Sequence, residues 1–311
     1  MRRVAAGALL LCLAALSGCL PVQTRALRQQ ADARLQRAVD LPLPFLVQQR
    51  ADLCAPASLA TLLSGLGRHV AQDELVPATY IPQRHGAVSL EMLAAARRQG
   101  VLALPLAADM GALLDQLDAG RPVLVLMNLA LPFWPRWHYA VISGWDPRRR
   151  EWLLHAGKKQ LLRLPMPVFE RVWLRAGGFA MIIVDPRRLP GDLPIPALLS
   201  AAAVLERVHP RAALAAYQQL AAKQPQDARI PLLAGNALRA LHHFKAAERA
   251  YRRSIQCQRN WPAMNNLADL LQAQGRHQEA LVWAQQAAAM APQSPASRTL
   301  QELSGASPAN P

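Results

Sequence analysis

Three side chains in this sequence supply the parts of an acyl-transfer site. Cys54 lies in Gln48-Gln49-Arg50-Ala51-Asp52-Leu53-Cys54-Ala55-Pro56-Ala57-Ser58-Leu59-Ala60. From Cys54 the pattern predicts a helix to Leu66, with Leu59, Leu62, Leu63 and Leu66 recurring at three and four and Gly65 and Gly67 closing it. The thiol then sits in a first helical turn, where unpaired backbone N–H groups and the helix dipole favour a thiolate. Pro56 suits that turn because its missing N–H would have had no partner there. Gln48 lies six residues before the cysteine. Its amide, with the Cys54 backbone N–H, has the donors of an oxyanion hole. His138 opens an apolar strand, Trp137-His138-Tyr139-Ala140-Val141-Ile142-Ser143-Gly144-Trp145. An imidazole at the mouth of a buried strand is costly unless it has a partner or a task. Thiol, base and amide donor are what nucleophilic catalysis through a thioester needs.

The elements that must position these groups are legible around them. Ser89–Gln99 predicts a second helix, with Ser89 as N-cap and Leu90, Leu93 and Ala94 inward. Gly111–Asp118 predicts a third. Four strand signals follow, at Val123–Leu126, Tyr139–Ile142, Trp152–Leu154 and Ala180–Val184. Helices first and an antiparallel sheet afterwards make residues 43–185 an α+β domain.

The arrangement resembles the papain-like cysteine peptidases, in particular the bacteriocin-processing double-glycine peptidase family. There a Gln, five residues and then Cys-Gly-x-Ala open the central helix, and a His followed by apolar residues opens a strand some eighty residues later. Here Cys54 and His138 are 84 apart. The resemblance covers roughly 43–185. It implies Cys54 as nucleophile, His138 as general base and acid, and Gln48 as oxyanion donor. Two positions depart from it. Ala55 stands where the family usually has Gly, which matters if the backbone there needs a positive φ. The family's Asp, sixteen or seventeen residues after the His, is replaced by Leu154 and His155. Asp146 lies eight residues along the strand, about 26 Å away. A turn at Asp146-Pro147-Arg148-Arg149-Arg150, folded about a centre near 147.5, sets His138 opposite roughly residue 157. His155 is then the nearby group. A neutral imidazole can fix a tautomer but stabilises imidazolium less than a carboxylate does.

The rest of the chain sets the context. Of 311 residues, 52% are hydrophobic and 18% charged, which excludes a largely disordered chain. The net charge is +15, but only four cations are Lys, and the Arg residues are scattered with no run of five like charges. Nucleic-acid binding is therefore not expected. Arg2 and Arg3, the apolar run Val4–Leu16 and Leu16-Ser17-Gly18-Cys19 resemble the lipobox of bacterial lipoproteins; the run is too short to span a bilayer. This resemblance implies a signal peptide over 1–18 and an acylated Cys19. With Leu rather than Asp at position 20, it points to the periplasmic face of the outer membrane. Cys54 and Cys257 remain as thiols, and a disulfide framework is excluded. Residues 19–42 read as a short surface helix or a tether, and the Pro-rich stretch 186–196 as a linker. Beyond it, Ala213, Ala247 and Ala280 recur at spacings of 34 and 33, Gly235 and Ala268 share one small position, and Tyr217 and Tyr251 another. The pattern resembles tetratricopeptide repeats over 197–294, followed by a tail over 295–311.

His209, His242, His243 and His277 lack metal-ligand spacing, and neither a metal nor a cofactor is expected. Met127, Phe133, Trp134 and Trp137 either wall a substrate cleft or belong to the core. Together these features predict an envelope lipoprotein with a thiol hydrolase domain acting on peptide or isopeptide bonds, its repeats docking a protein partner. The competing reading is a catalytically idle peptidase fold that holds a peptide while the repeats recruit the partner.

Overall fold

The computed structural model describes residues 20–305 apart from 31, 45, 51, 81–88 and 158. Cys19 and the expected signal peptide lie outside the described residues. Two compact units divide the chain, one comprising 1–95 and 105–182, the other 96–104 and 183–311.

A sheet and the helices beside it occupy the chain up to residue 184. In chain order come α1 (Val22–Gln29), a 3-10 turn (Ala33–Gln36), β1 (Val39–Asp40), α2 (Cys54–Ser64), α3 (Gln72–Thr79), α4 (Ser89–Arg98), β2 (Leu102–Pro105) and α5 (Met110–Asp118). They are followed by β3 (Val123–Asn128), β4 (Trp137–Asp146), β5 (Glu151–Ala156), β6 (Lys159–Pro165), α6 (Met166–Leu174) and β7 (Ala180–Val184). The seven-stranded sheet runs β2-β7-β3-β4-β5-β6, with β1 paired to β4. The pairings of β1 with β4, β3 with β4 and β7, and β5 with β4 and β6 are antiparallel. The α+β architecture is thus the one the sequence predicts. β1, β2, β6, α3 and α6 are additions to it.

Helix α2 carries no polar stripe. Every residue from Ala55 to Leu63 is buried, as expected of a helix enclosed on all sides. It packs against β4. On α4 the inward face is Met92, Leu93, Ala95 and Ala96, whereas Leu90, expected inward, is 68% exposed. The helix is rotated from the anticipated stripe because a three-and-four spacing can also be drawn through Met92 and Ala96. Aromatic rings fill the space between β4, β5 and α6. Trp145 meets Trp152 edge-on at 5.3 Å, Trp152 meets Phe169 at 5.0 Å, and Phe169 stacks on Trp173 at 5.5 Å. The indole N–H groups of Trp145 and Trp173 donate to the carbonyls of Leu35 and Phe179, so burial costs them no hydrogen bond.

The segment expected as a surface helix or tether is folded onto this unit. The Glu170 carboxylate accepts from the backbone N–H groups of Gln23 (2.9 Å) and Thr24 (2.7 Å) and from the Thr24 hydroxyl (2.6 Å). Glu170 therefore does for α1 what a capping residue normally does, satisfying first-turn N–H groups from another element. Gln23 adds bonds to the Ala108 carbonyl and the Met110 N–H. Val39 and Asp40 pair with Trp145 and Gly144, on the side of β4 that β5 leaves free. Gly144 permits this approach, since a Cβ there would lie 2.2 Å from the Val39 carbonyl oxygen.

The helical part of the second unit comprises α7 (Ile195–Glu206), α8 (Pro210–Lys223), α9 (Arg229–Ala240), α10 (Phe244–Cys257), α11 (Trp261–Ala273), α12 (His277–Met290) and α13 (Pro295–Ser304). Successive helices pack on one another. The recurring small residues Ala213, Gly235, Ala247, Ala268 and Ala280 are all buried. Gly235 has a specific task, because a Cβ there would lie 2.5 Å from Cε1 of Tyr251, whose hydroxyl donates to Asn236. Gly235→Ala should lower the stability of the full chain by about 1–3 kcal/mol in urea unfolding. Gly191→Ala, where a Cβ meets nothing within 4 Å, should not.

Candidate active site

Cys54 begins α2, and the preceding Leu53 provides no side-chain cap. The first-turn amides are consequently free to serve the sulfur. The backbone N–H groups of Cys54, Ala55 and Tyr139 all hydrogen-bond to it and favour the thiolate. Burial acts in the opposite direction and is the largest influence; the Asp52 charge adds to it. The net result is a Cys54 thiol pushed above its ordinary range. This corrects the expectation of a thiolate favoured by the helix terminus: the amides are present, but desolvation outweighs them. Ala55 is not strained, since the non-glycine residues with positive φ among those described are Arg150 and His242.

The Tyr139 amide on the sulfur places the His138 backbone beside Cys54. His138 is half-buried at the start of β4 and pairs with Met127 of β3. Burial, and then the charge of Arg136, hold its imidazole below the ordinary histidine value. Both shifts favour the uncharged forms of the two side chains.

Gln48 joins them through Gly157. The Gln48 N–H donates to the Gly157 carbonyl at 3.1 Å. A Cβ on Gly157 would lie 3.5 Å from Gln48 Oε1 and 3.7 Å from His138 Cε1, so both side chains border the same glycine. Gly157 has φ +63°, a conformation that suits glycine. The Gln48 amide nitrogen donates to the Arg50 carbonyl. One of its two hydrogens is used there. Sequence reasoning did not single out Gly157 or the Tyr139 amide. A glycine just after a strand was the available signal for the first; a backbone amide leaves none.

His155 does not join the group. It pairs with Val141 on β4, three residues beyond His138. That is about 10 Å along the strand, and an odd offset places the two imidazoles on opposite faces of the sheet. His155 is shifted downward by burial, partly offset by the charge of Asp40. Asp146 has a structural task. It accepts from the N–H groups of Arg148 and Arg149 and pairs with Arg163 at 3.0 Å, closing the β4–β5 turn. Among the described residues, no carboxylate contributes to the shift at His138.

Of the four residues left open between cleft and core, Met127 is fully buried, whereas Phe133, Trp134 and Trp137 are exposed. No group of three or more metal-binding side chains occurs among the described residues.

Residues 40–181 match the Peptidase C39-like family. No curated protein matches the chain. Similar solved structures include a Bacillus anthracis protein described as a C39-like peptidase, at 18% identity, covering 48% of this chain and 98% of that one with a TM-score of 0.42. A double-glycine-motif protease from an AMS/PCAT transporter, crystallised with its leader peptide, has 21% identity, covers 47% and 96%, and has a TM-score of 0.36. The peptidase domain of Streptococcus ComA, a bifunctional ABC transporter of a quorum-sensing pathway, has 21% identity, covers 47% and 98%, and has a TM-score of 0.38. The likeness to the Peptidase C39-like family is thus carried by residues 40–181.

Proposed function

We propose that this domain is a thiol peptidase in which Cys54 attacks the carbonyl of a peptide or isopeptide bond. Its proton passes to His138 as the C–S bond forms. The oxyanion accepts from the Cys54 backbone N–H and the free amide hydrogen of Gln48. Collapse breaks the C–N bond, and the His138 proton leaves with the amine. Water then hydrolyses the thioester, with His138 again taking the proton. The observation that carries this reading is the meeting of Gln48 and His138 at Gly157, with the next amide, that of Tyr139, on the Cys54 sulfur. A relative crystallised with a leader peptide supports a peptide substrate.

The wider setting belongs to the same proposal. The lipobox-like Leu16-Ser17-Gly18-Cys19 would be cleaved and acylated, holding the protein by lipid in the bacterial envelope, on the periplasmic face of the outer membrane. The helices from α7 to α12 would act as tetratricopeptide-type repeats that dock a protein partner.

The raised thiol, the lowered imidazole and the missing carboxylate favour a second reading, an idle fold that binds peptide without cleaving it. Labelling with a peptide vinyl sulfone separates the two. A working site adds the probe at Cys54 much faster than at Cys257, in a reaction that needs a neutral His138. The acid limb should therefore fall below the ordinary histidine value of 6.5, and a further rise should come only above the ordinary thiol value of 9.0. An idle site labels Cys54 no faster than Cys257 at neutral pH.

A further inference from the structure

The β3–β4 hairpin extends beyond His138 as a braced projection. At its base Asn128 is buried, its side-chain oxygen accepting from the N–H groups of Ala130 and Arg136 and its amide donating to the Leu131 carbonyl. Leu129 N–H donates to Arg136 O at 2.9 Å, and Trp134 N–H closes a turn onto Leu131 O at 3.2 Å. Arg175, just past α6, donates to the Ala130 carbonyl. On this frame Phe133 is 82% exposed and Trp134 77%, beside the exposed Leu129 and Leu131.

Two facts identify what such a tip meets. Helix α6 holds it at Arg175 and holds the start of α1 at Glu170. Those positions are five residues apart, about 7.5 Å along a helix. The hairpin and the start of α1 are therefore fastened to the same stretch of chain, at positions about 140° apart around a helix axis. Val22, at that start, is 80% exposed. The chain preceding it contains the apolar run Val4–Leu16 and Cys19. The tip also has the composition of an interfacial anchor, two aromatic rings flanked by Arg136, in a chain of net charge +15.

We propose that Phe133 and Trp134 insert into an anionic phospholipid surface and hold the His138 end of the domain against it. This deepens the membrane part of the proposed function and rests on that reading for its biological setting, though the tip's binding is separable from acylation. The test uses the full chain with vesicles containing brominated phosphatidylglycerol, which quenches tryptophans within the bilayer. Wild type and Cys19→Ser should both be quenched. Phe133→Ser/Trp134→Ser should lose that quenching and partition at least about tenfold more weakly in the Cys19→Ser background. Trp134→Phe, which keeps the bulk, should retain partitioning but lose the quenching due to position 134. If the double variant is quenched like wild type, the proposal is overturned. If Cys19→Ser abolishes quenching, the anchor alone binds and the proposal is also overturned, with the lipoprotein reading intact. If the double variant instead raises KM for peptide without changing vesicle binding, the tip is a peptide platform and the lipid assignment fails.

Discussion

Cys54→Ala should abolish peptide hydrolysis, and His138→Ala should lower kcat/KM by about 10²–10⁴. The two substitutions remove different parts of the proposed proton relay. Without the sulfur no thioester forms. Without the imidazole a thiol already pushed upward by burial has no acceptor for its proton. Cys257→Ala and His155→Ala are the informative controls. Cys257 lies on α10, and His155 occupies the face of the sheet opposite His138, so hydrolysis should stay near the wild-type rate in both. Steady-state kinetics on a quenched peptide substrate give all four values. A His155 variant as impaired as the His138 variant would mean that the register assigned to the β4–β5 hairpin is wrong.

The second large effect is expected at Glu170. It is 1% exposed, and its carboxylate accepts three hydrogen bonds from Gln23 and Thr24. Glu170→Ala leaves those donors without their acceptor and should cost about 3 kcal/mol in urea unfolding. Glu170→Gln should recover only part of that, because its amide nitrogen cannot accept. The loss should be local before it is global. Trypsin should cut at Arg25 and Arg28 in the Ala variant under conditions where the wild-type α1 resists.

The central helix was legible because Cys54–Leu66 combines a leucine stripe with closing glycines. The strands were legible because their apolar runs are bounded by turn residues. His155 shows where sequence reasoning stopped. A turn centre of 147.5 pairs Val141 with residue 154, whereas the structure pairs it with His155. A slip of one residue exchanges the faces of a strand, and it moved His155 from the side of His138 to the other. The cause is a β-bulge: the turn pairs Asp146 with Glu151, two residues from the anticipated register, and the irregularity between Ile142 and Gly144 takes back one. Gly144 beside it is a weak signal of a bulge, and Ser143 within an apolar run gives none. The fastening of α1 was hidden for a related reason. A buried Glu on a helix nearly 150 residues away has no local signature, and Thr24 reads as an ordinary polar residue.

The uncapped start of α2 has a consequence for related sequences. A Ser or Asp at position 53 would steady the helix by about 1 kcal/mol while drawing the Ala55 amide toward its own oxygen, Pro56 having no N–H to offer. Leu53 forgoes that gain, and the amides of Cys54 and Ala55 remain turned to the sulfur. Stability and the proposed chemistry therefore compete for the Ala55 amide. Among homologues, a capping residue at this position would mark lineages in which selection on the thiol has relaxed, even where the cysteine itself persists.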